Sequence, residues 1–341
     1  MAGCRVIKKN IWRGKFGPLL IAEIGGNHEG NFSYAKKLTK EAIKSGADVI
    51  KFQLYSGNRL VNSKISPKRN EHFKKFELTK NQHLKLAEMC IKSGVQYNAS
   101  IWDTSMIDWV DKYLNFYKIG SGDLTAYPII SEFAKRGKPI LLSTGLSNFS
   151  EIKKTINFIV KKNPIYKKKH MIALMQCTSL YPTNDVDINL SVIPELKKIF
   201  KYEVGYSDHS IGDLALLISY LKGAKILEFH FTDTRKNKKF RDHFVSLTKD
   251  EVIKLSLNLQ RTKKLLGNPK KEAIRSEIKS GHLKSFRRAI YFNKNIAKGD
   301  IIKNEDIVCL RPNEGLDARK ADLIIGKKSP KIFKALEKIK L

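Results

Sequence analysis

Acidic side chains are the scarce class in this chain. Its 341 residues hold 33 Asp and Glu against 65 Lys and Arg, a formal net charge of +32. Cysteine is sparser still: Cys4, Cys90, Cys177 and Cys309 stand far apart, with no CxxC pair. That excludes a disulfide scaffold and a zinc ribbon, both of which need dense or paired thiols. No run approaches the ~18 apolar residues a membrane-spanning helix requires. The opening MAGCRVIKKNIWRGKFG lacks the apolar core of a secretory signal. A cytoplasmic protein with no membrane partner is the expectation.

What is present is ordinary for a folded chain: 42% hydrophobic and 29% charged residues, enough to bury a full core. The length accommodates one large domain and a small one. The basic surplus could serve nucleic acid, an anionic membrane or a phosphorylated substrate. Its runs, KKK at 167–169 and KNKK at 236–239, fall in apparent loops and are not interleaved with aromatics. They read as lysines decorating solvent faces, and nucleic acid is not expected as a partner.

Eight short apolar or β-branched runs recur along the first 232 residues: PLLIAEIG, DVIKFQLY, QYNASIW, FYKIGS, PILLSTG, MIALMQCTS, YEVGYSDH and AKILEFHFT. Each has strand length, and amphipathic stretches lie between them. One, SYAKKLTKEAIKSG, is expected to open with Ser33 as its N-cap and close at Gly46; another runs from Thr79 to Gly94. Eight strands alternating with helices predict an α/β fold, a (β/α)8 TIM barrel. A doubly wound sheet would want a Gly-rich dinucleotide loop after its first strand. GGNHEGN has glycines at 25, 26 and 30, which is not that spacing. From Asn268 the texture changes to a charged stretch, then short strands around a Lys-Gly-Asp turn. The expected division is a catalytic barrel over 1–268, a linker over 269–283 and a small β-rich domain over 284–341.

In such a barrel the active site forms at the C-terminal ends of the strands. The polar residues of the runs collect there: Glu23, Lys51 with Gln53, Lys118 with Ser121 and Asp123, Ser143, Ser179 with Tyr181, Ser207 with Asp208 and His209, and Glu228 with His230. Lys or Glu inside a strand is costly unless paired or ligand-bound. Lysines on two strands and hydroxyls on four more suit a phosphate or carboxylate. His209 and His230, on adjacent strands, can share one divalent ion. Cys177 has no flanking base and reads as core. His72, His83, His170 and His282 have no partner in spacing.

The segments AEIGGNHEGN, GADVIKFQ, YKIGSGD, LLSTG, QCTSLYPT, VGYSDHSIG, GAKILEFHFT and RDHFVSL, in that order, resemble the sialic acid (N-acetylneuraminate) synthases, the nonulosonic acid synthases. The tail FRRAIYFNKNIAKGDIIKNEDIVCLRPNEGL resembles their antifreeze-like (SAF) domain. The resemblance implies a transferase that condenses phosphoenolpyruvate with an open-chain N-acetylated aminosugar and releases phosphate by C–O cleavage. Carried over motif by motif, Lys51, Lys118, Ser121, Ser143, Ser179 and Ser207 would bind phosphoenolpyruvate. Gln53, Asp123, Tyr181, Asp242 and Arg311 would bind the sugar, and His209 and His230 would hold Mn2+ or Mg2+. Glu23, Lys51, Lys118 and Asp242 form the implied catalytic set, with Glu23 the candidate for orienting or deprotonating the attacking water. Arg311 would reach the barrel of a partner subunit in a homodimer. Around the sugar the chain departs from the family: Ser179 stands for Asn, Asp123 for Glu and Phe240-Arg241-Asp242-His243 for GPDH, while Phe229, standing for Lys, points opposite to His230 and is expected to alter barrel-to-helix packing and not metal binding. These departures leave N-acetylmannosamine and a 2,4-diacetamido-trideoxyhexose both open, and CTS for CTN favours a legionaminate- or pseudaminate-type product. The rivals are another phosphoenolpyruvate-dependent sugar aldol synthase, a basic nucleic-acid-binding protein and a catalytically dead carbohydrate-binding barrel.

Overall fold

The computed structural model describes residues 11–340, so Cys4 and the start of the stretch that lacks a signal core lie outside the described residues. The chain divides into two compact units, Met1–Leu266 and Gly267–Leu341. In the first, the two-residue strand β1 (Arg13–Gly14) pairs antiparallel with β2 (Gly17–Gly25). Then follow β3 (Val49–Leu54), β4 (Gln96–Ile101), β5 (Tyr117–Ile119), β6 (Ile140–Ser143), β7 (Ile172–Cys177), β8 (Glu203–Asp208) and β9 (Ile226–His230). Each of β2 to β9 is parallel to the next, and β9 pairs back onto β2. The sheet is a closed eight-stranded barrel with helices outside, the (β/α)8 fold that the alternating pattern predicts. Among the described residues no helix is long and apolar enough to cross a membrane.

Side-chain alternation explains where the site falls. Along a strand every second residue faces one side. The inward residues begin apolar: Leu19, Ile21, Val49, Phe116, Leu141, Ala173, Met175 and Ile226 form one buried cluster, with Trp12 packed into it. Continuing on the same face, Ile21 is followed by Glu23, Val49 by Lys51 and Gln53, and Phe116 by Lys118. Leu141 is likewise followed by Ser143, and Ile226 by Glu228 and His230. The lower half of the barrel is hydrocarbon and its upper end is polar. The outward residues, Phe229 among them, pack with the helices in the larger core.

Helix Phe32–Lys44 is capped one turn-start earlier than expected. Asn31, not Ser33, is the N-cap, its side chain accepting from the Tyr34 backbone N–H at 3.0 Å. Ser33 already has helical neighbours on both sides. Thr79 does cap its helix, in a reciprocal box with Gln82. Gly46 and Gly94 take positive φ just past their helix ends, where a side chain would be strained.

The C-terminal unit has its own core, in which Ile290, Phe292, Ile296, Ile302, Leu316 and Phe333 are buried together. Its strands β10 (Ala289–Phe292) and β11 (Ile307–Leu310) pair antiparallel, and single bridges join Ile296 to Phe333 and Ile301 to Lys328. Within 269–283 the chain forms a short helix, Arg275–Lys279.

Candidate active site

Strand register brings the polar layer together. Glu23 lies opposite Lys51 and His230, Ser100 opposite Gln53 and, on its other side, Lys118, and Ser207 opposite both Cys177 and Glu228. The result is a cavity of about 430 Å3 at the C-terminal end of the barrel. Twelve of the fourteen residues to which the resemblance gives a role line it, with Glu228 beside them: Glu23, Lys51, Gln53, Lys118, Ser121, Asp123, Ser143, Ser179, Tyr181, Ser207, His209 and His230.

Its floor is a buried ionic network. Lys51 Nζ is 2.6 Å from Glu23 Oε2 and 3.8 Å from Glu228 Oε1, and Lys118 Nζ is 3.3 Å from the same Glu228 oxygen. Lys118 donates to Ser143 Oγ at 2.7 Å, Lys51 to Ser100 Oγ at 3.3 Å, and Ser207 Oγ to Glu228 at 3.0 Å. Gln53 holds the second Glu23 oxygen at 3.1 Å. Burial works to discharge Lys51, but Glu228 and Glu23 overcome it and hold the ammonium above its ordinary pKa. Burial also opposes ionising Glu228, yet Lys118 and Lys51 hold it below the usual carboxylate range. Lys51 and Glu228 are thus charged together, and a buried charge pair that keeps hydrogen-bonding capacity at a cavity wall is poised for a polar ligand.

Hydroxyls gather at one side wall. The Gly145 N–H donates to Ser121 Oγ at 3.1 Å, and Ser121 Oγ is 3.0 Å from Cys177 Sγ. A Cβ on Gly145 would come within 2.8 Å of both Ser121 Oγ and Ser179 Oγ. Only glycine lets this backbone N–H stand among three polar side-chain atoms. Cys177, expected as core, therefore belongs to the cavity wall: the inward face that carries Met175 turns polar two residues later.

Across the cavity stand the imidazoles. His209 Nδ1 donates to the Thr178 carbonyl at 2.6 Å, leaving Nε2 to accept from the Tyr181 hydroxyl at 2.9 Å. The rings of His209 and His230 are 5.4 Å apart. Burial lowers the His209 pKa to about 4 and pushes His230 well below its ordinary value, so both rings are neutral bases at neutral pH. The buried Nδ1 of His230 has no hydrogen-bond partner among the described residues and lies 3.8 Å from Asp242 Oδ2. Burial raises the Asp242 carboxyl to about 6, against the pull of Arg241. Two neutral imidazoles, one with an unpartnered nitrogen and the other with its free lone pair held only by a tyrosine hydroxyl, fit a divalent ion. Among the described residues no third His, Cys, Asp or Glu completes a cluster with them. An ion here would take its other ligands from substrate and water, the open coordination a catalytic site needs.

Three residues singled out from sequence fall outside the cavity lining, among them Asp208, which accepts from the Tyr206 and Ser210 hydroxyls. Asp242 sits beside His230. Arg311 belongs to the C-terminal unit, where its guanidinium lies over the Phe286 ring at 5.6 Å. The cavity also recruits residues that sequence reasoning passed over: Ser100, Arg69, Phe73, Trp102 and Arg241. Ser100 and Trp102 lie at the end of the third run, whose alternation marks Ser100 as inward. Arg69 and Phe73 sit on helix Pro67–Phe76, between the second and third runs, and nothing in its pattern ties it to the site.

The NeuB family profile matches residues 38–271. The chain belongs to the NeuB family. It is 32% identical to the N,N'-diacetyllegionaminic acid synthase of Campylobacter jejuni, over 94% of this chain and 98% of that one. It is 31% identical to the N-acetylneuraminate-9-phosphate synthase of Mus musculus, over 78% and 76% of the two chains. Among solved structures it resembles the N-acetylneuraminic acid (sialic acid) synthetase of Leptospira borgpetersenii. That match has a TM-score of 0.70 and 31% identity, and covers 78% of this chain and 90% of the other. The NeuB match ends before the β-rich unit at residue 284 and so says nothing of it.

Proposed function

We propose that this NeuB-family chain is a nonulosonic acid synthase that condenses phosphoenolpyruvate with the aldehyde of an open-chain N-acetylated aminosugar, giving a nine-carbon 2-keto acid and phosphate. The observation that carries this reading is the buried pair Lys51 and Lys118 beneath a wall of hydroxyls, with two neutral imidazoles facing them across one cavity. A trianionic substrate needs fixed positive charge, and the lysines supply it without reorganisation. Ser121, Ser143, Ser179 and Ser207 would place their hydroxyls against phosphate and carboxylate oxygens, with the Gly145 N–H holding Ser121 in place.

In the reaction the C2–C3 π pair of phosphoenolpyruvate forms the new bond to the aldehyde carbon, and the aldehyde oxygen takes up a proton. A water oxygen then bonds to the electron-poor C2 and loses its proton to Glu23. The resulting tetrahedral carbon expels phosphate by breaking its C–O bond, the departing phosphate takes the proton of the C2 hydroxyl as the ketone forms, and Glu23 returns its proton to solvent, which balances the proton that the aldehyde oxygen takes from solvent. Glu23 suits the task because Lys51 and Gln53 fix both of its oxygens. A divalent ion, Mn2+ or Mg2+, held by His209 and His230, would supply Lewis acidity toward the sugar aldehyde. Tyr181, Gln53, Asp123 and Asp242 would contact the sugar. Arg311, from an antifreeze-like C-terminal domain of a partner subunit, would bind its N-acyl group in a homodimer.

The test is phosphate release from phosphoenolpyruvate by purified protein with Mn2+. N-acetylmannosamine, 2,4-diacetamido-2,4,6-trideoxymannose and the pseudaminate precursor sugar would be offered in parallel, with a chelator control. Chelator-sensitive release with one sugar supports the reading and names the acceptor. Folded protein that neither releases phosphate nor binds phosphoenolpyruvate in calorimetry contradicts it.

A further inference from the structure

A second cavity, of about 230 Å3, opens at the opposite end of the barrel. Its walls come from the N-terminal ends of β7, β8 and β9 and from the β1 arm. Lys169 and His170 precede β7, Lys201 and Tyr202 precede β8, and Lys225 precedes β9; Arg13 is in β1 and Lys197 is on helix Val192–Phe200. Five cationic side chains therefore face one concavity. The only carboxylate in its lining is Glu203. Among the described residues none of the five forms an ion pair, with Glu203 or with anything else, and Glu203 Oε2 takes no hydrogen bond.

This arrangement differs from the lysines scattered over the helices. A solvated lysine on a helix face avoids its like-charged neighbours, whereas here side chains from four separate segments converge on one hollow with an aromatic base. Trp12 closes the base, its indole N–H donating to the His170 carbonyl at 2.9 Å, and the half-buried Tyr202 lines a side. Lys201 sits at φ 58°, in the left-handed region where a helix end ordinarily takes glycine, so the chain accepts backbone strain to place a lysine there. The first ten residues carry Arg5, Lys8 and Lys9 and no carboxylate, so by sequence they bring no anion to balance the cavity.

We propose that this cavity is a second anion-binding site, distinct from the active site, for a small ligand bearing two or more closely spaced negative charges, as in a diphosphate. Unpaired cations around a hollow with low-dielectric walls focus a positive potential that a compact polyanion satisfies best. The two sites stand at opposite ends of the same strands, separated by five or six residues of β7, β8 and β9. At about 3.3 Å per residue that is some 15–20 Å, too far for one small ligand to occupy both. The inference does not depend on the proposed reaction.

The test is calorimetric titration of the full chain with inorganic pyrophosphate in 150 mM KCl. Wild-type protein is compared with K169A/K225A and with K153A/K154A, which removes the same charge from the exposed face of helix Phe149–Lys162. The expected result is a saturable event that K169A/K225A weakens about tenfold or more and K153A/K154A leaves unchanged. A binding event at the upper lysine pocket, if pyrophosphate enters it, survives in both variants and is counted separately. Unaltered melting temperatures show that both variants are folded. Three results overturn the proposal: no saturable binding by wild type, identical titrations of wild type and K169A/K225A, or equal weakening in the two variants, which is diffuse attraction to a basic protein.

Discussion

Gly145 and Asp123 make opposite demands on the site. The Gly145→Ala methyl would press on Ser121 and Ser179 within 2.8 Å. G145A is expected to melt near wild type yet bind phosphoenolpyruvate about tenfold or more weakly, measured by calorimetry, because the hydroxyls must part to admit the methyl. Asp123 has its pKa raised to about 6 by burial, with Lys118 pulling the other way. A carboxyl whose folded pKa lies above its unfolded value costs nothing while both states are protonated. It destabilises progressively as pH rises from about 4 to 6, and fully above that. Asp123→Asn should therefore raise stability at pH 8 by about 1–2 kcal/mol, allowing for its partial exposure, and the gain should vanish as the pH falls toward 4. Denaturant melts of both proteins at several pH values check it. An equal gain at every pH would show that the side chain acts through packing and not through charge.

The helix starting at Phe32 gives the element-scale prediction. Asn31→Ala should cost about 1 kcal/mol in a denaturant melt and Ser33→Ala only a few tenths, since the cap hydrogen bond belongs to Asn31. Asn, Ser and Thr cap helices by the same bond, so the sequence NFSYA offers two candidates and backbone geometry selects one. The eight strands were legible for a stronger reason. Their apolar runs alternate with amphipathic stretches, and on the inward face hydrocarbon gives way to Lys, Ser, Glu or His at the last residues of most strands. That change of character located Glu23, Lys51, Lys118 and His230 before any contact was known. Cys177 was misread because a thiol in an apolar strand looks like core whether the inward face is still dry or already polar. Glu228 could be placed on the site face, but its part in pairing both lysines follows from barrel closure, which brings β9, β3 and β5 together across the interior although no two of them are neighbours. Arg69 and Phe73 reach the cavity from a helix whose polarity pattern carries no hint of it.

At the scale of the whole chain, the barrel closes through strand pairing and a hydrocarbon interior. Among the described residues no cluster of three or more His, Cys, Asp or Glu suited to a metal forms in the site above it. A chelator is thus expected to abolish turnover while leaving the melting temperature within about a degree or two, because the ion closes no structural ligand set. A collapse of the fold on chelation would mean that the ion is structural. The C-terminal unit has its own core, and the role proposed for it is delivery of Arg311. Arg311→Ala should raise the sugar KM about tenfold or more and leave phosphoenolpyruvate affinity unchanged in calorimetry. Equal loss of both affinities would place that residue elsewhere. The lysine-lined cavity is proposed to join phosphoenolpyruvate to an aminosugar with cleavage of the C–O bond. Turnover of phosphoenolpyruvate labelled with 18O at the bridging oxygen, followed by mass spectrometry of both products, tests it directly. The expected result is label in the inorganic phosphate and a nine-carbon keto acid that forms only when the sugar is present. Label retained in the organic product, or phosphate released at the same rate without sugar, would contradict it.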